Sequence, residues 1–401
     1  MAYRLYEREW LLSHTVTAEI FAIYPIVVVA VLIGFGDLSD HIGRRATMLL
    51  GLVASLAGAV VFAVAPSVLW LFVARALMGV GVGLTVGPSN AAVVEFAAGG
   101  ASKRAALITT LAQAGGFAAA LLVGGALIQY GPWPMHLGSW VLAVLLAPLL
   151  AATWFLPRRP RTGTAGTWRP RAPFVPREAR GAFAIAALAM MTAYPHGVLV
   201  LSLGGEVAHD LVGTSNALVG GAVLSLFAIA SGAVGFVGKA LPARSAMRLG
   251  ALGSAASMGL LALAAGRHDL GIFLLATSTA GAGYSLMFLS AIELVNAAAP
   301  ADQRGGVLSA LYLLGYLAIG AAGVVLGTVA TAGGLALAVD CGTAAIAALS
   351  CATLVLAGRG RRATPQTMPD ARPERPACVA RSSPPRRSGS RTPAQATAPT
   401  K

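Results

Sequence analysis

Eleven apolar runs divide this chain, each close to the ~20 residues that a helix needs to cross a bilayer. They cover Ser13–Phe35, Ala46–Ala65, Val68–Phe96, Ala105–Ile128, Leu137–Leu156, Gly181–Leu203, Ala217–Val237, Ala246–Ala265, Leu270–Ala298, Gly306–Val329 and Leu335–Ala357. Such a chain has few folds open to it. Hydrocarbon offers no hydrogen-bond partner, so every backbone N–H and C=O inside a run must be satisfied within its own helix. Pro25, Pro88 and Pro195 lie inside runs, and packed neighbours let a membrane helix tolerate them. The expectation is an all-α membrane protein. Composition agrees: charged residues are 11% of the chain, against about 25% in soluble domains.

Charge then orders the connections. Of 29 Lys and Arg, 25 fall on the side of the Gly36–Arg45 loop, three (Arg4, Arg8, Arg267) on the other, and Arg75 within a run. By the positive-inside rule that loop and the C-terminus are cytoplasmic. Eleven spans then put the N-terminus outside. The simpler expectation is a twelfth span before Met1; an authentic eleven-span chain is the alternative.

Residues 1–12 read as an N-terminal remnant and 13–156 as a five-span bundle. A basic cytoplasmic linker at 157–180, rich in Pro and Arg, leads to a six-span bundle at 181–357. Residues 358–401 read as a disordered basic tail, net +8 with eight prolines. The net charge of +14 does not indicate nucleic acid, because that tail has no aromatic residue to stack on bases. Cys341, Cys351 and Cys378 show no metal-ligand spacing, and no cofactor motif occurs. An internal repeat relates the two bundles. Glu95 and Arg104 bracket a short loop as Glu293 and Arg304 do, at offsets of 198 and 200 residues. The Gly36–Arg45 loop has a weaker echo at Gly238-Lys239…Arg244…Arg248, without the acid.

The opening loop, Gly36-Asp-Leu-Ser-Asp40-His-Ile-Gly43-Arg44-Arg45, resembles the signature Gly-x-Leu-Ser/Ala-Asp-x-x-Gly-Arg-Arg/Lys of the major facilitator superfamily (MFS). Arg75-Ala-Leu-Met-Gly79-Val-Gly81-Val-Gly83 is similar to that family's second motif. The resemblance implies two pseudo-symmetric helical bundles, twelve spans in the full fold, and alternating access around a central cavity. It also implies a conformational switch at Gly36, Asp40, Gly43, Arg44 and Arg45, helped by Glu95 and Arg104. Glu293 and Arg304 would be the counterparts in the second half. The alternative for Arg44 and Arg45 is a role as inside-positive anchors alone. The fifth helix lacks the Gly-Pro pair usual in drug–proton antiporters of this family and reads Gln113-Ala-Gly115-Gly116.

Within the spans, Arg75 is the sharpest candidate. A central intramembrane charge costs about 2.5–3.5 kcal/mol on insertion scales, so a retained one usually faces a cavity or a partner. Arg75 either takes part in proton coupling, with Glu19 at similar depth, or both snorkel to the interface. Tyr24, Asn90, Gln113, Tyr194, His196 and Tyr284 are further cavity candidates, with helix–helix packing as the alternative role. No cluster of nucleophile, base or metal ligands marks an enzyme. The function expected is secondary transport of a small solute, proton-coupled, with efflux as a candidate direction, by a monomer in the plasma or inner membrane. A sensory or inactive membrane protein is the alternative.

Overall fold

The computed structural model describes residues 2–36, 38–96, 102–157, 175–212, 216–238, 240–300 and 304–359. Among these residues the structure is helical, without strands. The first half contains α1 (Ala2–Trp10), α2 (His14–Phe35), α3 (Leu38–Ile42), α4 (Arg44–Ala63), α5 (Val68–Phe96), α6 (Ser102–Tyr130) and α7 (Leu137–Trp154). The second contains α8 (Arg180–Val212), α9 (Ala217–Gly238), α10 (Ala243–Arg267), α11 (Leu270–Ala298) and α12 (Arg304–Arg359). Eleven segments of the described residues are long and apolar enough to span a membrane, two of them within α12.

Local chemistry sets the helix ends. Ser13 caps α2 by accepting from the Val16 amide at 3.3 Å, and Asp269 caps α11 by accepting from Ile272 at 3.1 Å. Gly43, at φ 90°, makes the left-handed turn between the short α3 and α4. Gly334, at φ 86°, breaks α12 into its two spans, where the apolar runs themselves were interrupted. Residues 2–10, read as a remnant, form a packed helix. Tyr6 is fully buried there, its ring against Phe62 at 5.9 Å and its hydroxyl donating to the Met135 carbonyl at 3.1 Å.

The repeat seen in the sequence is a repeat of packing. α4 lies along α5 as α10 lies along α11; α2 crosses α5 as α9 crosses α11; α4 meets α7 as α10 meets the second span of α12. Both long crossings use the same three small residues. A Cβ on Gly51 would stand 2.7 Å from the Gly81 carbonyl, and a Cβ on Gly81 would strike Ser55. In the second half, a Cβ on Gly283 would stand 2.9 Å from the Gly250 carbonyl and 2.7 Å from the Ser254 hydroxyl. Only glycine permits these backbones to approach so closely, the small-residue packing that replaces hydrophobic driving force in lipid. The two halves meet along α2 with α12 and α6 with α9.

One relation is unmatched. α8 packs along α11 and α12, but no described helix stands to α5 and α6 in that way. Gly315 of α12 shows the consequence: its Cβ would lie 2.5 Å from the Tyr194 ring and 3.0 Å from Met190, both on α8. Gly115, 200 residues earlier on α6, meets nothing within 4 Å.

Candidate functional site

Arg75 lies in the first third of α5, half-buried, and the crossing of α2 decides what its side chain meets. The guanidinium carbon stands 4.9 Å from the ring centre of Tyr24 and 5.5 Å from that of Phe21. These two rings lie one turn apart on one face of α2. Each cation–π contact is worth about 0.5–2 kcal/mol, less than an unpaired charge in a membrane costs. The Arg75 Nε is buried and has no hydrogen-bond partner. Glu19 is exposed.

From Tyr24 an aromatic row crosses into the second half. The Tyr24 and Tyr194 phenols both interact with Tyr316, whose ring is 5.4 Å from that of Tyr194. Tyr194 meets Phe288 edge-on at 5.9 Å, and Phe288 stacks on Tyr284 at 5.9 Å with an interplanar angle of 7°. Tyr284 meets Phe227 at 5.5 Å, and Phe227 meets Phe117 of α6 at 6.3 Å, which returns the row to the first half. Its members sit near the middle of α2, α6, α8, α9, α11 and the first span of α12. The row therefore lies at mid-membrane depth and touches helices of both bundles. Ring pairs of this kind add about 0.5–1.5 kcal/mol each beyond burial and give a wall with an apolar face and polar hydroxyl tips.

Of the candidates named from sequence, the structure brings together Arg75, Tyr24, Tyr194 and Tyr284, through Tyr316 and Phe288. Phe21, Phe117, Phe227, Phe288, Tyr316 and Tyr312, whose ring is 6.4 Å from that of Phe288, were missed. A signal was present for four of them: Phe21 and Tyr24 are spaced i, i+3, while Tyr284 and Phe288, and Tyr312 and Tyr316, are spaced i, i+4, each pair on one helix face. His196 is fully buried and belongs elsewhere. Its Nε2 is 3.1 Å from the Ser257 hydroxyl, which gives its own proton to the Ser254 carbonyl at 2.8 Å. A hydroxyl has one proton, so His196 Nε2–H is the donor, and the pair ties α8 to α10 inside the second bundle. Gln113 is exposed.

At the loop side, Gly36 ends α2 and Gly43 starts α4. Arg45 turns toward α7: its Nη1 donates to the Leu156 carbonyl at 3.1 Å and its guanidinium lies 5.5 Å from the Trp154 ring. Both contacts stay within the first bundle. Arg44 is half-buried, and Glu293 is exposed near the end of α11. The side chains of Asp40, Asn90, Glu95, Arg104 and Arg304 lie outside the described residues.

Polar ties at the far side, unforeseen in the sequence, join the halves at both inter-bundle seams. Thr15 and Thr331 hydroxyls are 2.7 Å apart, and the Thr15 amide donates to Thr331 at 3.1 Å, bridging α2 and α12. Asn216 Nδ2 donates to the Tyr130 hydroxyl at 3.0 Å, and Gln129 accepts from the Ala217 amide at 2.8 Å, bridging α6 and α9. Gln129 thus supplies an acceptor to the first turn of a helix in the opposite bundle.

A family model described as Major Facilitator Superfamily matches residues 2–323. Among curated proteins, the chain is similar to the multidrug efflux pump LfrA of Mycolicibacterium smegmatis, with 33% identity over 141 residues. That stretch is 34% of this chain and 27% of LfrA, so the match spans about a quarter of the relative's length. Among solved structures, a mutant form of the peptide transporter POT superposes with a TM-score of 0.68 at 18% identity, over 87% of each chain. A POT family transporter in complex with 5-aminolevulinic acid gives 0.70 at 15% identity, over 90% of this chain and 91% of that one. At these identities the structural likeness is one of fold.

Proposed function

The chain belongs to the Major Facilitator Superfamily, and on that footing we propose that it is a secondary transporter moving a small solute across the cell membrane by alternating access. The single observation that carries this reading is the aromatic row with Arg75, placed at mid-depth and shared by both bundles. A site built that way changes its exposure when one bundle rocks against the other. Proton coupling is the energy source we propose, since the chain has no Gly-rich loop with Lys-Ser/Thr for nucleotide. Efflux is the proposed direction, supported by the similarity to a protein named as a multidrug efflux pump. The loop side and the C-terminus are taken as cytoplasmic on the 25-to-3 distribution of basic residues. The ties at Thr15–Thr331 and Tyr130–Asn216 then close the outer side. We further propose that Asp40, Arg44 and Glu95 form the cytoplasmic latch of the opposite state, with Arg45 serving as an anchor within its own bundle.

Solute flux in proteoliposomes, with and without an uncoupler, tests this. Flux that runs under an imposed proton gradient and stops with uncoupler is expected; no flux under any gradient would end the transporter reading. A second reading, an MFS-like membrane protein that senses or binds without transport, is favoured by one observation. Among the described residues nothing lies within 4 Å of a Cβ at Gly115, and no described helix stands to α6 as α8 stands to α12. Binding without flux would select this second reading.

A further inference from the structure

We propose that Arg75 binds the carboxylate, or an equivalent planar monoanion, of an aromatic solute whose ring lies against the Tyr24–Tyr316–Tyr194 part of the row. The inference rests on the transporter reading above and names its solute by chemical class. The Phe21 and Tyr24 rings lie 5.5 Å and 4.9 Å from the guanidinium carbon, cation–π contacts that supply no hydrogen-bond acceptor to its N–H donors. Nε is buried without a hydrogen-bond partner, so that donor is desolvated and unsatisfied. Glu19, the carboxylate at comparable depth, is exposed. A guanidinium edge is a rigid fork that matches two coplanar oxygens, and two parallel charge-assisted bonds form there where a lone cation or a hydroxyl forms none or one. Aromatic walls alone would equally suit a lipophilic cation. Here the positive charge of Arg75 opposes one, and the described residues of the row contribute phenols and phenyl rings but no carboxylate. The ring of the solute finds faces to stack on in Tyr316 and Tyr194, whose centroids are 5.4 Å apart, and in Tyr24, 4.9 Å from the guanidinium carbon.

Three probes of one shape separate the possibilities: 2-naphthoate, 2-naphthalenemethanol and 2-naphthylmethylammonium, titrated calorimetrically into the purified full chain. Naphthoate is expected to bind about tenfold or more tighter than the alcohol, with the ammonium weakest, as a bidentate charged pair adds to common stacking. In Arg75→Gln the naphthoate affinity should fall to that of the alcohol while the alcohol is unchanged. Arg75→Lys, which keeps the charge without the fork, should recover only part of the loss. Equal affinities, a preference for the ammonium, or an unchanged naphthoate affinity in Arg75→Gln would overturn the proposal. If Arg75→Gln yields no monodisperse protein, the ranking on the unaltered chain decides alone. The naphthoate preference without flux in proteoliposomes would sink the transporter reading and keep this site. Coupled flux of other solutes without the preference would do the reverse.

Discussion

Arg45 donates from Nη1 to the carbonyl oxygen of Leu156 at 3.1 Å, tying the start of α4 to the end of α7. The second bundle contains the same tie: Arg248 Nη2 donates to the Ala357 carbonyl at 2.8 Å, from α10 to the end of α12. Carbonyls at a helix C-terminus have no partner in their own helix, and a cation there also meets the negative end of the dipole. The clamp is not at matching sequence positions. Gly51 and Gly250, which make equivalent crossings, are 199 residues apart, and this offset aligns Arg45 with Arg244. Arg248 does the work from one turn further along.

Removing the clamp should cost stability before it costs transport. A hydrogen bond to a charged group contributes about 1.5–3 kcal/mol when buried, and Arg45 is only half-buried, so about 1 kcal/mol is expected for Arg45→Ala. Its thermal unfolding midpoint in detergent should fall, and that of Arg248→Ala should fall comparably. A variant with an unaltered midpoint and impaired flux would instead return Arg45 to the switch proposed for its neighbours.

Legibility differed between backbone and side chains. The eleven spans were legible because lipid forces backbone satisfaction inside each helix, so length and apolarity alone mark them. The break at Gly334 was legible for the same reason, as an interruption of an apolar run. Pairwise relations were only partly so. Glu95 and Glu293, Arg104 and Arg304 revealed the duplication, but the shared Gly51–Gly81 and Gly250–Gly283 crossings were hidden, since the chain has 48 glycines and spacing does not tell which ones meet. His196 looked like a cavity group and is a buried tie to Ser257, because sequence does not reveal which face of α8 points inward. Thr15 and Thr331 lie 316 residues apart, and nothing local in either segment announces the other.

The contrast between Gly315 and Gly115 predicts opposite outcomes for one substitution. A methyl at Gly315 is forced into Tyr194 and Met190 of α8, an overpacking that costs about 1–3 kcal/mol. At Gly115 the same methyl meets open space, and the helix gains about 0.5–1 kcal/mol from losing a mid-helix glycine. Gly315→Ala should therefore lower the unfolding midpoint, while Gly115→Ala should leave it unchanged or raise it. If Gly115→Ala is as destabilising in the native membrane as Gly315→Ala, another helix covers α6 there.

The far-side ties should set the balance between the two states of the transporter. Thr15→Val removes a hydroxyl pair at one seam, and Asn216→Ala removes the amide that reaches Tyr130 at the other. Each neutral hydrogen bond is worth about 0.5–1.5 kcal/mol net, so the double variant should shift the equilibrium between outer-closed and outer-open forms by roughly tenfold. A cysteine placed at the α2–α12 seam, at Gly320 against Pro25 and Ile26, should then react faster with a membrane-impermeant thiol reagent added from outside. An unchanged rate in the double variant would show that these contacts follow closure and do not hold it.

Asp40→Asn probes the opposite side of the same equilibrium. The substitution keeps the size of the side chain and removes its charge, so insertion and the turn through Gly43 at φ 90° should persist. What should be lost is the attraction of the proposed latch to Arg44, an ion pair at a partly wet interface and therefore worth about 0.2–1 kcal/mol, or more if it belongs to a network with Glu95. The outward-facing form would be less populated, and transport should slow several-fold with the solute's binding affinity little changed, because Asp40, in the α3 turn at the loop side, is remote from the mid-span rings. Measuring flux and affinity together separates the cases. A protein that inserts normally, binds normally and transports at the full rate would remove Asp40 from the switch and leave the loop as a topological anchor.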